Sequence, residues 1–267
     1  MVASFETIAV GTLLASPRRA LWERFGWTDR LTSVFLIGFP SAVFATNCFI
    51  LAPAPGERCI IVDPGIGVVD RIAEVLREHR LKPAAVLLTH GHLDHVYSVT
   101  PVCGANDVAA YLHRDDIYRL ADPLSLVDPM LMAMLEREFG SKATWTPPSD
   151  VVELTDHQQL TVADLDFTVW HAPGHTEGSV MFRIEDVPSQ LPPNSGLTSS
   201  LIAGDVLFAG GIGRTDLPGG NEAQMMASLR DVVLTQPDDC LVFPGHGPAT
   251  TIAKERATNP FLQGLHP

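Results

Sequence analysis

Basic residues are scarce: 18 Lys and Arg stand against 31 Asp and Glu, a formal net charge of −13 over 267 residues. A nucleic-acid partner is therefore not expected, because binding a phosphate backbone wants a basic face. Cysteine is also scarce. Cys48, Cys59, Cys103 and Cys240 are scattered with no CxxC pair, which argues against a disulfide framework or a thiolate zinc site and fits a reducing cytosol. The first ten residues carry Glu6 and no basic run, so they do not read as a signal peptide. One run lacks charge altogether, from Leu31 to Pro55. It is long enough for a membrane span, but Gly38, Pro40, Asn47 and several Ser and Thr interrupt it. The better reading is two buried strands with a turn near Gly38–Ser41.

What is present is a globular balance, 46% hydrophobic and 18% charged. Apolar runs that end in Gly, Pro, Asp or His recur along the chain. Strands are expected at Thr7–Leu14, Cys48–Leu51, Cys59–Val62, Ala84–Leu88, Val108–Tyr111, Leu165–Trp170, Ser179–Ile184, Leu201–Ala203 and Cys240–Phe243. Helical periodicity marks Val69–His79, Pro129–Phe139 and Glu222–Val233. Such a mixture implies two mixed sheets covered by helices. No repeat is visible, and a single domain over residues 1–267 is expected, with insertions near 17–30 and 187–200.

The sharpest feature is Thr89-His90-Gly91-His92-Leu93-Asp94-His95, directly after an apolar strand. Residues two apart in extended chain point the same way, so His90 and His92 can grip one ion. The chain then turns, and Asp94 with His95 can face a second. Three other apolar runs end in Gly-containing turns bearing a potential ligand: His171-Ala-Pro-Gly-His175, Gly204-Asp205 and Pro244-Gly-His246-Gly. A lone histidine is usually structural, but four strand ends delivering ligands to one sheet edge are what a two-metal site requires. Imidazole and carboxylate donors suit zinc, iron or manganese. His171 is a candidate for a supporting role. His79, His113, His157 and His266 read as surface or structural.

These residues closely resemble the metallo-β-lactamase superfamily and its HxHxDH signature with separate His, Asp and His positions. The resemblance implies a four-layer αββα sandwich with the metals at one edge. It implies one divalent ion, zinc by preference with iron or manganese as alternatives, on His90, His92 and His175. A second would lie on Asp94, His95 and His246, with Asp205 bridging. Asp94 would also orient the metal-bound hydroxide that attacks a carbonyl.

Three segments resemble the glyoxalase II group, closest to its short bacterial form: Ile61-Val-Asp-Pro-Gly65, Gly204 to Asp216, and Phe243-Pro-Gly-His-Gly-Pro248 with Asn259-Pro-Phe-Leu262. The implied activity is hydrolysis of S-(2-hydroxyacyl) thiol conjugates such as S-lactoylglutathione, with Arg214 contacting the thiol portion. Asp216 and Pro248 stand where long glyoxalase II enzymes have tyrosines, so a thiol other than glutathione fits as well. Arg214 has a plainer reading, as a partner of Asp216 or Glu222. The expected setting is cytoplasmic, away from membranes, with the chain a monomer or homodimer acting on a small-molecule thioester. Two alternatives stand beside this reading: a persulfide dioxygenase with one iron on His90, His175 and Asp205, and a non-catalytic metal-binding scaffold.

Overall fold

In the computed structural model, the described residues are 33–127, 132–133, 136–137 and 144–266, all within the unit Thr32–Pro267. The strand expected over Thr7–Leu14, the stretch 17–30 and most of the helix expected over Pro129–Phe139 lie outside them.

Two mixed sheets carry the fold. The first joins β1 (Ser33–Pro40), β2 (Asn47–Ala52), β3 (Arg58–Val62), β4 (Lys82–Leu87), β5 (Ala110–His113) and β6 (Val151–Leu154) in chain order. The second is built from β7 (Gln159–Val162), β8 (Leu165–His171) and β9 (Val180–Ile184), antiparallel neighbours. A short strand, β10 (Val187–Pro188), leaves to pair with β1. The second sheet continues with β11 (Ser199–Gly204); the small hairpin β12 (Leu207–Phe208) and β13 (Gly211–Ile212) follows in the chain. It closes with β14 (Cys240–Pro244), parallel to β11, and β15 (Thr250–Thr251). Strands β3, β4, β5 and β6 run parallel, so their C-terminal ends open on one edge.

The layering follows from alternation. Phe49, Leu51, Ile60, Val62 and Leu87 point inward, against Phe167, Val169, Phe182, Ile184, Ile202 and Phe243 of the other sheet. Their neighbours Ile50, Ile61 and Val86 point outward, onto Ile72 and Val75 of α1 (Val69–His79) and Val99 and Val102 of α3 (Val99–Asn106). Between those helices lies the single turn α2 (Leu93–Val96). The second sheet is covered likewise: Met181, Leu201 and Val242 pack on Met225 of α4 (Glu222–Ser228), on Leu229 and Val233 of the following π turn, and on Ile252 of α5 (Ile252–Thr258). Strand β2 is buried on both faces and reads as a continuous apolar run, which accounts for the absence of charge over Asn47–Ala52. Each large side chain so buried contributes roughly 1.5–3 kcal/mol. The result is an αββα sandwich, and no helix among the described residues is long and apolar enough to cross a membrane.

Three expectations shift. The turn between β1 and β2 falls at Ser41–Thr46 rather than Gly38–Ser41, because Gly38 and Phe39 still pair with Phe49 and Cys48. The strand expected at Val108 starts at Ala110, after Asp107 closes α3 in the left-handed region. The stretch 187–200 is bounded by strand at both ends, β10 and the start of β11, so its loop is the shorter part between them.

Candidate metal centre

Every side chain of the centre sits just past the end of a strand. Beyond β4, Leu88 donates its N–H to Tyr111 O, and the chain then leaves the sheet through Thr89-His90-Gly91. His92 caps α2, which carries Asp94 and His95. Strand β8 runs into His175, β11 into Asp205 and β14 into His246. Asn47 at the start of β2 clamps the last of these loops: its amide donates to Pro244 O and Gly247 O, both at 2.9 Å.

His90, His92 and His175 form one pocket. His92 Nδ1 lies 3.2 Å from His90 Nε2 and 2.8 Å from His175 Nε2. The outer nitrogens settle what the inner ones present. His175 Nδ1 is 2.7 Å from Arg214 O, and a carbonyl only accepts, so Nδ1 carries the proton and Nε2 a lone pair. Thr89 donates its hydroxyl to Asp63 Oδ2, leaving its oxygen to accept from His90 Nδ1 at 3.1 Å, so His90 Nε2 is likewise a lone pair. The lone pairs of His90 and His175 thus converge on the space beside His92 Nδ1, where a cation can sit.

Asp94, His95 and His246 form a second pocket. His95 Nδ1 donates to Asp63 Oδ2 at 2.9 Å, and its Nε2 stands 3.5 Å from Asp94 Oδ2 and 3.4 Å from Asp205 Oδ1. His246 Nδ1 donates to Phe44 O, and its Nε2 faces Asp94 Oδ2 at 3.3 Å and Asp205 Oδ2 at 3.4 Å. Asp205 Oδ2 also lies 3.5 Å from His175 Nε2, which puts this carboxylate between the pockets. Two buried atoms, His95 Nε2 and Asp205 Oδ1, have no hydrogen-bond partner. Buried polar atoms are normally satisfied, so this pair, inside a His and Asp donor set, fits a divalent cation. The groups His90–His92–His175, His90–His95–Asp205 and Asp94–His95–His246 each lie within reach of one ion.

The charges agree with this. Burial pushes His90 well below its usual range and His92 down to about 3, keeping both rings neutral and able to ligate. At His95 burial also pulls downward, but Asp94, Asp205 and Asp63 outweigh it and hold the ring well above its range. His246 is raised to about 9 despite burial, because Asp205 and Asp94 accept from it. The second pocket therefore demands positive charge. Burial would raise Asp205, yet His95 and His246 hold its carboxyl well below the usual carboxylate range.

All seven expected ligand positions thus meet at one edge. Arg214 does so only through its backbone carbonyl; its guanidinium is 61% exposed and makes a bidentate pair with Asp216. His171 stays out of the cluster: its Nε2 donates to Glu177 O and its ring stacks on His113 at 14°. His113 and His171 with Asp115 also fall within reach of one ion, but lone pairs of face-to-face rings run side by side rather than converging. The sequence reading missed the supports. Asp63, at a left-handed position after β3, binds the Thr89 N–H, the Thr89 hydroxyl and His95. Thr46 donates to Asp94 at 2.7 Å. Asp63 did carry a signal, a carboxylate ending an apolar run before Pro-Gly, the same pattern that marked the ligands.

The family model of the metallo-β-lactamase superfamily matches residues 42–188, more than half of the chain. The chain belongs to the metallo-β-lactamase superfamily. Among its relatives, an uncharacterized Mycobacterium tuberculosis protein is 39% identical over 87% of this chain and 99% of that protein. The hydroxyacylglutathione hydrolase GloC of Haemophilus influenzae is 31% identical over 84% of this chain and 95% of its own length. Among solved structures, BLEG-1, described as a B3 metallo-β-lactamase, superposes with a TM-score of 0.68 at 33% identity, covering 86% of this chain and all of that one. A superfamily member of this kind is a metal-dependent hydrolase.

Proposed function

We propose that the protein is a binuclear metal-dependent thioesterase of the glyoxalase II type, cleaving S-(2-hydroxyacyl) conjugates of a low-molecular-weight thiol. The observation that carries this reading is the pair of adjoining pockets, one where His90 and His175 turn lone pairs inward and one lined by Asp94, His95, His246 and Asp205. His90, His92 and His175 would hold one divalent ion, zinc by preference with iron or manganese as alternatives; Asp94, His95 and His246 would hold the other, and Asp205 would touch both. Two bound ions supply a water acidic enough to act as nucleophile and a Lewis acid for the carbonyl oxygen.

The chain's own residues do the rest. Asp94 has one oxygen fixed by Thr46 and is held well below the usual carboxylate range: burial would raise it, but His95 and His246 prevail. It remains an anion able to orient a nucleophile. No cysteine competes for that role, since all four are buried and burial pushes Cys59 and Cys103 up to about 12. A thiolate leaves more readily than an amine, so a thioester needs little help from a general acid. The likeness to the hydroxyacylglutathione hydrolase GloC supports the same choice. Arg214, exposed beside the loop that fixes His175, would exchange Asp216 for an anionic group on the thiol. We place the enzyme in the cytoplasm as a monomer or homodimer.

β-Lactam hydrolysis is a second reading, favoured by the likeness to BLEG-1. One experiment separates them: metal analysis of the purified protein, with S-lactoyl conjugates of several thiols assayed beside β-lactams and persulfides. About two ions per chain and turnover of a thioester are expected. β-Lactam turnover without thioesterase activity would overturn the substrate, and one iron with oxygen uptake on a persulfide would favour the dioxygenase.

A further inference from the structure

Asp116 and Arg119 lie in the 3-10 turn Arg114–Leu120 after β5, and they are 0% and 1% exposed. Neither belongs to either metal pocket. The Asp116 carboxylate accepts four hydrogen bonds. Its Oδ2 takes the Gly91 N–H and the Thr176 hydroxyl, both at 2.7 Å. Its Oδ1 takes the Gly178 N–H at 2.8 Å and Arg119 Nε at 3.2 Å. Gly91 stands between His90 and His92, while Thr176 and Gly178 follow His175. One buried carboxylate therefore holds two ligand loops that lie far apart in sequence and come from opposite sheets.

Arg119 completes the clasp. Its far end donates to Glu177 at 2.6 Å and to Pro218 O at 2.8 Å, and its aliphatic stem occupies the space a Cβ at Gly91 would need. The second pocket is anchored by other groups: Asp63 on His95, Phe44 O on His246 and Thr46 on Asp94. Asp63 also reaches the first pocket, through Thr89 on His90, whereas the four contacts of Asp116 include none of the second pocket's ligands.

We infer that Asp116 is the positioning residue that sets the spacing of His90 and His92 against His175, and so governs metal affinity in that pocket and not in the other. This rests on the two-pocket reading proposed above. Asparagine at 116 would turn an N–H against donors, breaking the clasp without changing its volume.

The test uses full-length protein stripped of metal and titrated with zinc, with calorimetry and metal analysis as readouts. Wild type is compared with Asp116→Asn and with the milder Thr176→Val, which removes a single donor should the first variant fold poorly. The expected result is that one ion binds about 10–100-fold more weakly in D116N while the other stays within about 2-fold. T176V weakens the same ion by less. The single ion left in His246→Ala identifies the pocket, and adding D116N must weaken that ion too. Equal weakening of both ions, or of neither, overturns the role of Asp116. Wild type that takes up no zinc instead overturns the metal reading itself.

Discussion

Asp63 carries three of the centre's hydrogen bonds from 2% exposure, and its loss strips Thr89 and His95 together. Asp63→Asn presents an N–H to groups that are themselves donors. It should cost about 1–3 kcal/mol in chemical denaturation and about 10–100-fold in metal affinity by titration. Gly245 makes a steric case at the same scale, because a Cβ there would overlap Asp205 and crowd His95. Gly245→Ala should lower stability by about 1–3 kcal/mol and reduce metal uptake, as denaturation and metal analysis would show. The ligands were legible because three histidines and an aspartate fall within six residues and the other three positions end apolar runs. Asp116 was not legible: beyond Arg119 its partners lie 25, 60 and 62 residues away, and nothing in Arg-Asp-Asp distinguishes it from a solvated turn.

At the level of elements, the long two-face-buried strands read clearly, and α1 did so through its single apolar face. The elements that escaped are short or locally inconsistent. Leu93–Val96 is one turn, and α3 holds Pro101 and Gly104. Strands β6 and β7 are four residues each with partly exposed side chains, too brief for alternation to register. The end of β5 carries a pH consequence. His113 is nearly buried against His171, and burial first, then that neighbour, lowers it to about 4. The fold keeps it neutral while the unfolded chain takes up a proton near its ordinary value of 6.5. This contribution to stability is constant above about 6.5 and is lost as pH falls from there to about 4. Urea midpoints across that window should fall less steeply in His113→Phe than in wild type; parallel curves would refute the assignment.

For the whole molecule, the ligand set ties both sheets together at one edge. Any ion bound there and not by the unfolded chain stabilises the entire sandwich by mass action. Chelation should therefore lower the melting temperature by roughly 5–10 °C in differential scanning fluorimetry, reversed by returning the metal. One detail of the centre reaches further. His175 and His246 are held from behind by the main-chain oxygens of Arg214 and Phe44, not by their side chains. A peptide oxygen cannot be mutated away. Arg214→Ala should leave metal content intact while raising KM for the thiol conjugate, as metal analysis and steady-state kinetics would show. Side chains at the rim can therefore be exchanged to suit a different substrate without removing the groups that orient His175 and His246.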